Sequence, residues 1–317
     1  MHTIGYVVFP NFHLMGFAAV TAFELANLVL GERAYEVTAL SETGGMISAA
    51  AGIRFETQPF GDAVFDTVIF ASGVETDLAS PALGAFVKHA LKTSRRVAAP
   101  CTGAFVLAEA GVLDGRRATT HWRFTSDLQE RFPKVSVEED SIFIVDGSIW
   151  TSAGMAATID MALAMIEKDH GKQVSRTVAR KLVVYHRRSG GQSQFSTLLE
   201  LEPKSDRIQK ALVYANANLR SALTVEELAG VANLSPRQFS RAFTAETGQS
   251  PAKAIEQLRV EAARLMLEQG RHSLDVIADV VGFADRDRMR RAFLRTLGQP
   301  PQAVRRSGRE SRAPSEI

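Results

Sequence analysis

The chain has 317 residues, 45% of them hydrophobic and 23% charged, an ordinary composition for a folded protein of about two domains at roughly 100 to 200 residues per domain. Its net charge of +2 conceals a division: residues 1–167 hold 11 Lys and Arg against 19 Asp and Glu, whereas residues 168–317 hold 26 against 16. An acidic half joined to a basic half predicts one part that meets nucleic acid and one with another task, and a single cysteine, Cys101, excludes both an intrachain disulfide framework and a multi-cysteine zinc site.

From residue 4 to residue 166, short β-branched runs alternate with longer helical patterns, the order expected of strands joined by crossover helices. The first run, Ile4–Phe9, is too short and too poorly flanked for a secretory leader, and no run approaches the 18 apolar residues of a membrane span. Strands are predicted over Ile4–Phe9, Glu36–Leu40, Thr67–Ala71, Arg96–Ala99, Ile142–Val145 and Ile149–Thr151, the last two flanking the hairpin signal Asp146-Gly147. Helices are predicted over Ala18–Leu30, Pro81–Thr93, Gly103–Ala110, Phe124–Arg131 and Ala156–Lys168. The pattern predicts a doubly wound, flavodoxin-like parallel sheet occupying residues 1–186, with ligands collecting at the carboxyl ends of its strands.

Residues 187–205, with Gly190-Gly191, several Ser and Gln, and Pro203, have a linker composition. Residues 206–306 then read as helices only: Arg207–Ala217, Thr224–Val231, Pro236–Thr247, Pro251–Gln269, Leu274–Val280 and Arg286–Leu297. Residues 307–317 are polar, without apolar periodicity, and are expected to be a disordered tail.

The basic half contains a duplication. Glu227–Leu234 matches Val276–Phe283 at an offset of 49, and Arg241-Ala242-Phe243, Gly248 and Pro251 match Arg291-Ala292-Phe293, Gly298 and Pro301 at an offset of 50. Each copy has a small Ala where a second helix must cross, then Asn233 or Gly282 where the backbone must turn left-handed, then a polar residue opening the second helix. These are the parts of a helix-turn-helix, twice. Phe239 and Phe243 form a buried stripe that leaves Arg237, Gln238, Ser240 and Arg241 outward; Met289 and Phe293 repeat it and leave Arg286, Asp287, Arg288, Arg290 and Arg291 outward. Arginine-rich second helices suit phosphate neutralisation and guanine reading.

Residues 207–306 resemble the DNA-binding domain of AraC-family transcription regulators, through LTVEELAGVANLSPRQFSRAFTAETGQSPAKAIEQLRVEAARLML and SLDVIADVVGFADRDRMRRAFLRTLGQPPQAVRR. The resemblance implies that Arg237, Ser240 and Arg241, and Arg286, Asp287 and Arg290, approach base edges of double-stranded promoter DNA, with Gln238 and Arg291 beside them. The second helix departs from the pattern in being unusually basic. Its arginines are expected either to hold phosphates or to pair with Asp285 and Asp287 in the free protein.

In the acidic half, Cys101 follows a predicted strand and precedes a predicted helix, in AAPCTGAFVLAEAGVL. A turn this sharp needs the small neighbours Ala99 and Gly103, lifts the thiol to the carboxyl edge of the sheet and places it at a helix amino terminus that favours thiolate. His121 is expected at the end of the next short strand, and Ser72-Gly73 and Ser152-Ala153-Gly154 at the same edge, where backbone N–H groups line an anion or carboxylate pocket. Cys101, Thr102, Gly73, His121 and Gly154 are therefore the candidate ligand-binding residues.

Residues 1 to about 170 resemble the ThiJ/PfpI group of the class I glutamine amidotransferase-like superfamily, through PCTGAFVLAEAGVLDGRRATTHW and TSAGMAATIDMALAMIEKDHG, in the subgroup fused to AraC-type domains, whose linker VVYHRRSGGQSQF matches. Enzymatic members of that group place an acid after the first strand beside the cysteine. Gly16 stands there instead, Glu24 lies farther along a helix, and Arg123 replaces the Glu of a His-x-Glu pair. The resemblance implies a cytoplasmic, non-catalytic sensor of amino acids, betaines or related nitrogenous metabolites, without metal or cofactor, dimerising through its first domain. The alternatives are a thiol-dependent hydrolase, hydratase or glyoxalase using Cys101 and His121, and a redox switch at the sole thiol.

Overall fold

The computed structural model describes the chain except for residues 75, 77–79, 185–187, 189, 191–193, 195–200, 202, 270–271 and 311–317. It divides into two compact units, Met1–Gln194 and Phe195–Ile317.

The first unit is built on an eight-stranded sheet. Its parallel centre consists of β1 (His2–Val7), β2 (Tyr35–Ser41), β4 (Arg54–Pro59), β5 (Thr67–Phe70), β6 (Arg96–Pro100) and β10 (Ile149–Ser152). β3 (Thr43–Ser48) and β9 (Phe143–Asp146) close the two edges in antiparallel pairing, giving the order β3-β4-β2-β1-β5-β6-β10-β9. The Asp146-Gly147 hairpin forms as expected, with Asp146 opposite Ile149 and Gly147 at φ 60°. The sequence did not announce β3 and β4. Gly44 and Gly45 interrupt the apolar alternation, and both are left-handed, with the Pro59 ring packed where a Gly44 side chain would stand.

Helices α1 (Ala18–Leu30), α2 (Pro81–Thr93), α3 (Gly103–Glu109), α4 (Thr125–Arg131) and α5 (Ala156–Lys181) cover the sheet. α1 ends where Gly31 turns left-handed at φ 71°, and α2 starts where the Ser80 hydroxyl accepts the Leu83 N–H at 3.0 Å. Tyr6, Phe23, Phe70, Phe105 and Trp150 are fully buried between the layers, each stabilising the fold by about 1.5 to 3 kcal/mol. α5 runs past the expected stop at Lys168. Gly171 breaks it with φ 82° and ψ 169°, and the segment beyond is retained by buried Val178 and Ala179.

At the break, the Asp169 carboxylate is fully buried against Arg96, Arg95 (2.7 Å) and the Tyr35 hydroxyl (2.9 Å). Burial alone would raise its pKa, but the Arg96 charge and these hydrogen bonds hold it below the usual carboxylate value. This polar cluster gathers the amino ends of β2 and β6, the end of the sheet opposite Cys101.

Part of the stretch with linker composition is fixed to the first unit. Arg188 pairs with the buried carboxylate of Asp160 at 2.8 Å, the Gly190 carbonyl accepts the Phe143 N–H at 3.1 Å, and Gln194 is bound to residues 119–141. Residues 191–193 and 195–200 lie outside the described residues.

The second unit is all helical: α6 (Asp206–Ala217), α7 (Val225–Val231), α8 (Pro236–Thr247), α9 (Pro251–Gln269), α10 (Leu274–Val280), α11 (Arg286–Leu297) and α12 (Pro301–Glu310). α12 covers residues 307–310, which were expected to be tail; residues 311–317 lie outside the described residues. Two small cores form. Phe239 and Phe243 pack with Leu228, Ala229 and Ile208, and Met289 and Phe293 pack with Ile277, Ala278 and Val304. α9 serves both, giving Ala254 and Leu258 to the first and Val260, Ala263 and Leu267 to the second. Its 19 residues make a strut of about 28 Å. Among the described residues no helix is long and apolar enough to cross a membrane.

Candidate effector site and nucleic-acid interface

Cys101 stands at the carboxyl end of β6, on the turn into α3, in a left-handed conformation with φ 52°. A residue with a Cβ pays on the order of 1 kcal/mol or more for that conformation, and the surroundings supply the compensation. The Cys101 N–H donates to the Ser152 carbonyl at 2.7 Å, and the Cys101 carbonyl accepts the Thr120 hydroxyl at 2.7 Å. Gly154 has no room for a side chain because its Cβ would overlap the Cβ of Cys101, and a Cβ at Gly103 would lie 2.6 Å from the Phe70 carbonyl oxygen. The elbow expected from small neighbours is therefore present, and Ser72-Gly73, Thr102 and Ser152–Gly154 do meet Cys101 at one sheet edge.

The chemistry expected of that elbow differs from what is found. Cys101 is 2% exposed, and burial pushes its thiol up to about 11 although the neighbouring Thr102 N–H and hydroxyl act the other way. A three-turn-or-less helix start does not outweigh desolvation here, so the thiol is protonated near neutral pH and the expected thiolate is absent. The expected anion pocket is also altered. The Gly73 N–H is taken by the Thr102 hydroxyl at 2.8 Å, and the Phe9 ring packs 2.5 Å from where a Gly73 Cβ would be.

His121 does not follow a strand of the main sheet. The short strand before it, β7 (Arg117–Ala118), pairs with β8 (Ser136–Val137) in a separate two-stranded sheet. The half-buried imidazole opens a 3-10 turn, its Nδ1 accepting the Arg123 N–H at 3.3 Å, and burial with the Arg123 charge lowers its pKa. Its described hydrogen bond is not to Cys101. Gly16 is buried, and a side chain there would run into the Tyr6 hydroxyl, itself buried without a hydrogen-bond partner among the described residues. Tyr6 thus closes the space after β1, and Glu24 is exposed on α1. Tyr6, Phe9, Thr120 and Gln194 were not singled out from the sequence; only their burial and hydrogen bonds identify them. Among the described residues no group of three His, Cys, Asp or Glu could hold a metal ion.

In the second unit, the duplicated turns have the geometry their sequences require: Asn233 lies at φ 54° and Gly282 at φ 84°. The Ser235 hydroxyl accepts the Gln238 N–H, and the Gln238 side chain accepts the Ser235 N–H at 3.1 Å, a reciprocal cap on α8. This commits the Gln238 carbonyl oxygen to the helix start, a use the outward-facing position did not reveal. Asp285 caps α11 from one side only, its carboxylate accepting the Arg288 N–H at 2.6 Å, and lies 3.8 Å from the Arg288 guanidinium. Asp287, in contrast, makes no ion pair among the described residues.

The exposed faces agree with the apolar stripes. Arg237 and Arg241 on α8, and Arg286, Asp287, Arg290 and Arg291 on α11, are exposed, with Ser240 half-buried. Several arginines elsewhere are engaged: Arg95 and Arg96 with Asp169, Arg188 with Asp160, Arg220 with Asp279, Arg295 with Glu256. Among the described residues, Arg237, Arg241, Arg286, Arg290 and Arg291 form no ion pair with the protein. Five unneutralised guanidinium groups on two repeated, capped helices have the charge that would suit a polyanion.

Residues 228–307 match the helix-turn-helix domain family, and residues 14–168 match the DJ-1/PfpI family. The chain is 30% identical over 309 residues to the HTH-type transcriptional regulator GbdR of Pseudomonas aeruginosa, covering 96% of this chain and 84% of that protein. It is likewise 30% identical over 320 residues to the HTH-type transcriptional regulator GlxA of Rhizobium meliloti, covering 96% and 95%. Among solved structures it is similar to an AraC family transcriptional regulator from Pseudomonas putida, with a TM-score of 0.53 and 21% identity over 57% of this chain and 100% of that one. It is also similar to Drosophila melanogaster DJ-1beta, with a TM-score of 0.52 and 22% identity over 58% and 99%. At these identities the structural likeness shows the fold alone.

Proposed function

The chain belongs to the AraC-type helix-turn-helix transcriptional regulators that carry a DJ-1/PfpI domain, and from that premise we propose that it binds promoter DNA through α8 and α11 under the control of a small metabolite. The observation that carries the DNA-binding reading is the set of unpaired arginines on the two capped helices. Arg237 and Arg241 in one unit and Arg290 and Arg291 in the other reach base edges or phosphates in successive major grooves, about 34 Å apart. Asp287 occupies the place of Arg237 in the repeat. A carboxylate facing DNA is repelled by phosphates unless it accepts from a base amine, so it reads cytosine N4.

The effector binds at the Cys101 edge of the first unit, near Thr102, Gly73, His121 and Gly154, and Cys101 serves there as packing and backbone geometry rather than as a nucleophile. Its buried, protonated thiol supports this reading over a hydrolase or a redox switch. The effector is an amino acid, betaine or related nitrogenous compound, and the protein acts in the cytoplasm as a homodimer joined through the first unit. Control requires that the effector bind one arrangement of the protein better than another.

A thermal-shift screen of the full chain against amino acids and betaines, with and without a bound promoter fragment, tests the sensor reading. A ligand at a hundredfold its dissociation constant adds about 2.7 kcal/mol. Recovery of a stabilising compound unchanged, with altered DNA affinity, is the expected result; consumption of that compound would overturn it.

A further inference from the structure

Gln194, the last residue of the first unit, has its side-chain amide engaged on every side by the segment that follows the Cys101 elbow. The amide nitrogen donates to the Thr120 carbonyl at 2.8 Å and to the Glu139 carbonyl at 3.0 Å, and the amide oxygen accepts the Trp122 N–H at 2.8 Å. Its own main-chain N–H donates to Asp140 Oδ1 at 2.9 Å. Thr120, fully buried, donates its hydroxyl to the Cys101 carbonyl at 2.7 Å. Cys101, Thr120 and Gln194 are thus joined in one hydrogen-bonded run. It leads from a strained turn to the residue at which the chain leaves the first unit.

The side-chain type is dictated by this setting. One face must donate to main-chain carbonyls while the other accepts a main-chain N–H, which only an amide of this length does. A carboxylate would set a charge against the Thr120, Glu139 and Ser141 carbonyls, all of which lie within 3.3 Å of the amide nitrogen. Upstream, the strap is fixed independently of Gln194. The Arg188 N–H and Nε donate to the buried Asp160 carboxylate at 2.8 and 2.9 Å. Gly190 lies so close to β9 that a Cβ would stand 2.5 Å from the Phe143 carbonyl oxygen. Release of Gln194 therefore leaves Arg188 and Gly190 anchored.

We infer that Gln194 is a positioning residue for control: the conformation of the Cys101 turn, passed through Thr120, sets whether Gln194 is docked or released. This rests on the reading of that turn as the effector edge. A ligand that displaces Thr120 releases Gln194, and by linkage a docked Gln194 favours one form of the turn.

The test is amide hydrogen exchange on the full chain without ligand or DNA, comparing the parent with Thr120→Val, Thr120→Ser and Gln194→Glu. Losing a hydrogen bond of this kind raises exchange by roughly threefold to tenfold where opening is local. Thr120→Val is expected to speed exchange of the Gln194 main-chain amide, Thr120→Ser to restore the parent rate, and Gln194→Glu to speed exchange over residues 119–123, with α1 and α6 unchanged. A parent-like rate for the Gln194 amide in Thr120→Val overturns the inference. If that variant loses protection throughout, Gln194→Glu decides, and parent-like exchange over 119–123 overturns it. Because no DNA is present, this outcome is separate from that of the DNA-binding reading.

Discussion

Thr102 and Gly73 hold each other from both ends. The Gly73 N–H donates to the Thr102 hydroxyl at 2.8 Å, and the same hydroxyl donates to the Gly73 carbonyl at 2.9 Å, with Thr102 1% exposed. The turn after β5 is thereby stitched to the turn after β6. Cys101 beside it is kept in place by backbone bonds alone, its thiol committed to packing.

A thiol with a pKa of about 11 leaves on the order of one hundredth of the thiolate of a free cysteine at neutral pH. Labelling of native protein with a disulfide reagent at pH 7.5 is therefore expected to be at least about a hundredfold slower than in denaturant. Because the folded value is raised, the thiol's contribution to stability is complete below the ordinary value near 9 and is lost as pH rises towards about 11. Rapid stoichiometric labelling at pH 7.5 would refute the buried-thiol assignment.

Gly154→Ala introduces a Cβ onto the Cys101 Cβ at a position with φ 82°. Both the overlap and the left-handed backbone oppose it, so a loss of at least about 2 kcal/mol is expected in chemical denaturation. Cys101→Ala leaves the turn's backbone bonds intact and is expected to cost less.

Asp169→Asn leaves the Arg96 guanidinium, with a 6% exposed side chain, without its charge partner. Removing one member of a buried pair costs about 3 to 5 kcal/mol. Since the Asp169 value is lowered by Arg96 against the pull of burial, its contribution is present above the unfolded value near 3.8 and lost as pH falls through the folded one. Denaturation between pH 2 and 6 should show an acid-induced loss in the parent that is smaller in the variant.

Arg241→Ala and Arg291→Ala, at equivalent places in the repeat, are each expected to cost about 1 to 3 kcal/mol of site-specific binding if they read bases. A variant that loses only a phosphate contact weakens all sequences alike and lowers the salt dependence by about one ion. Asp287→Ala should instead strengthen general DNA binding while relaxing one cytosine preference. Fluorescence anisotropy at several salt concentrations separates the three behaviours.

Much of this arrangement was legible in residue patterns. The parallel sheet showed in its β-branched runs, the elbow in small residues around Cys101, and both helix-turn-helix units in spacing and caps. What stayed hidden depends on three-dimensional neighbours. β3 was obscured by Gly44 and Gly45, whose left-handed turns break the alternation that marks a strand. The second segment of α5 was masked by Gly171, yet Ser175 ties it back through a 2.8 Å bond to the Leu163 carbonyl. The thiolate expectation failed because a helix amino terminus is visible in sequence and desolvation is not. Gln194 sat in a stretch whose composition matches a linker, and Gln238 faced outward while serving its own helix cap.

Selection of bound sites from a random DNA pool by the full chain at physiological salt tests the central claim most directly. The account predicts enriched sites with two base clusters about one helical turn apart, lost when Arg241 and Arg291 are both replaced by Ala. Retention of the pool without enrichment, or equal binding to all sequences, would contradict it.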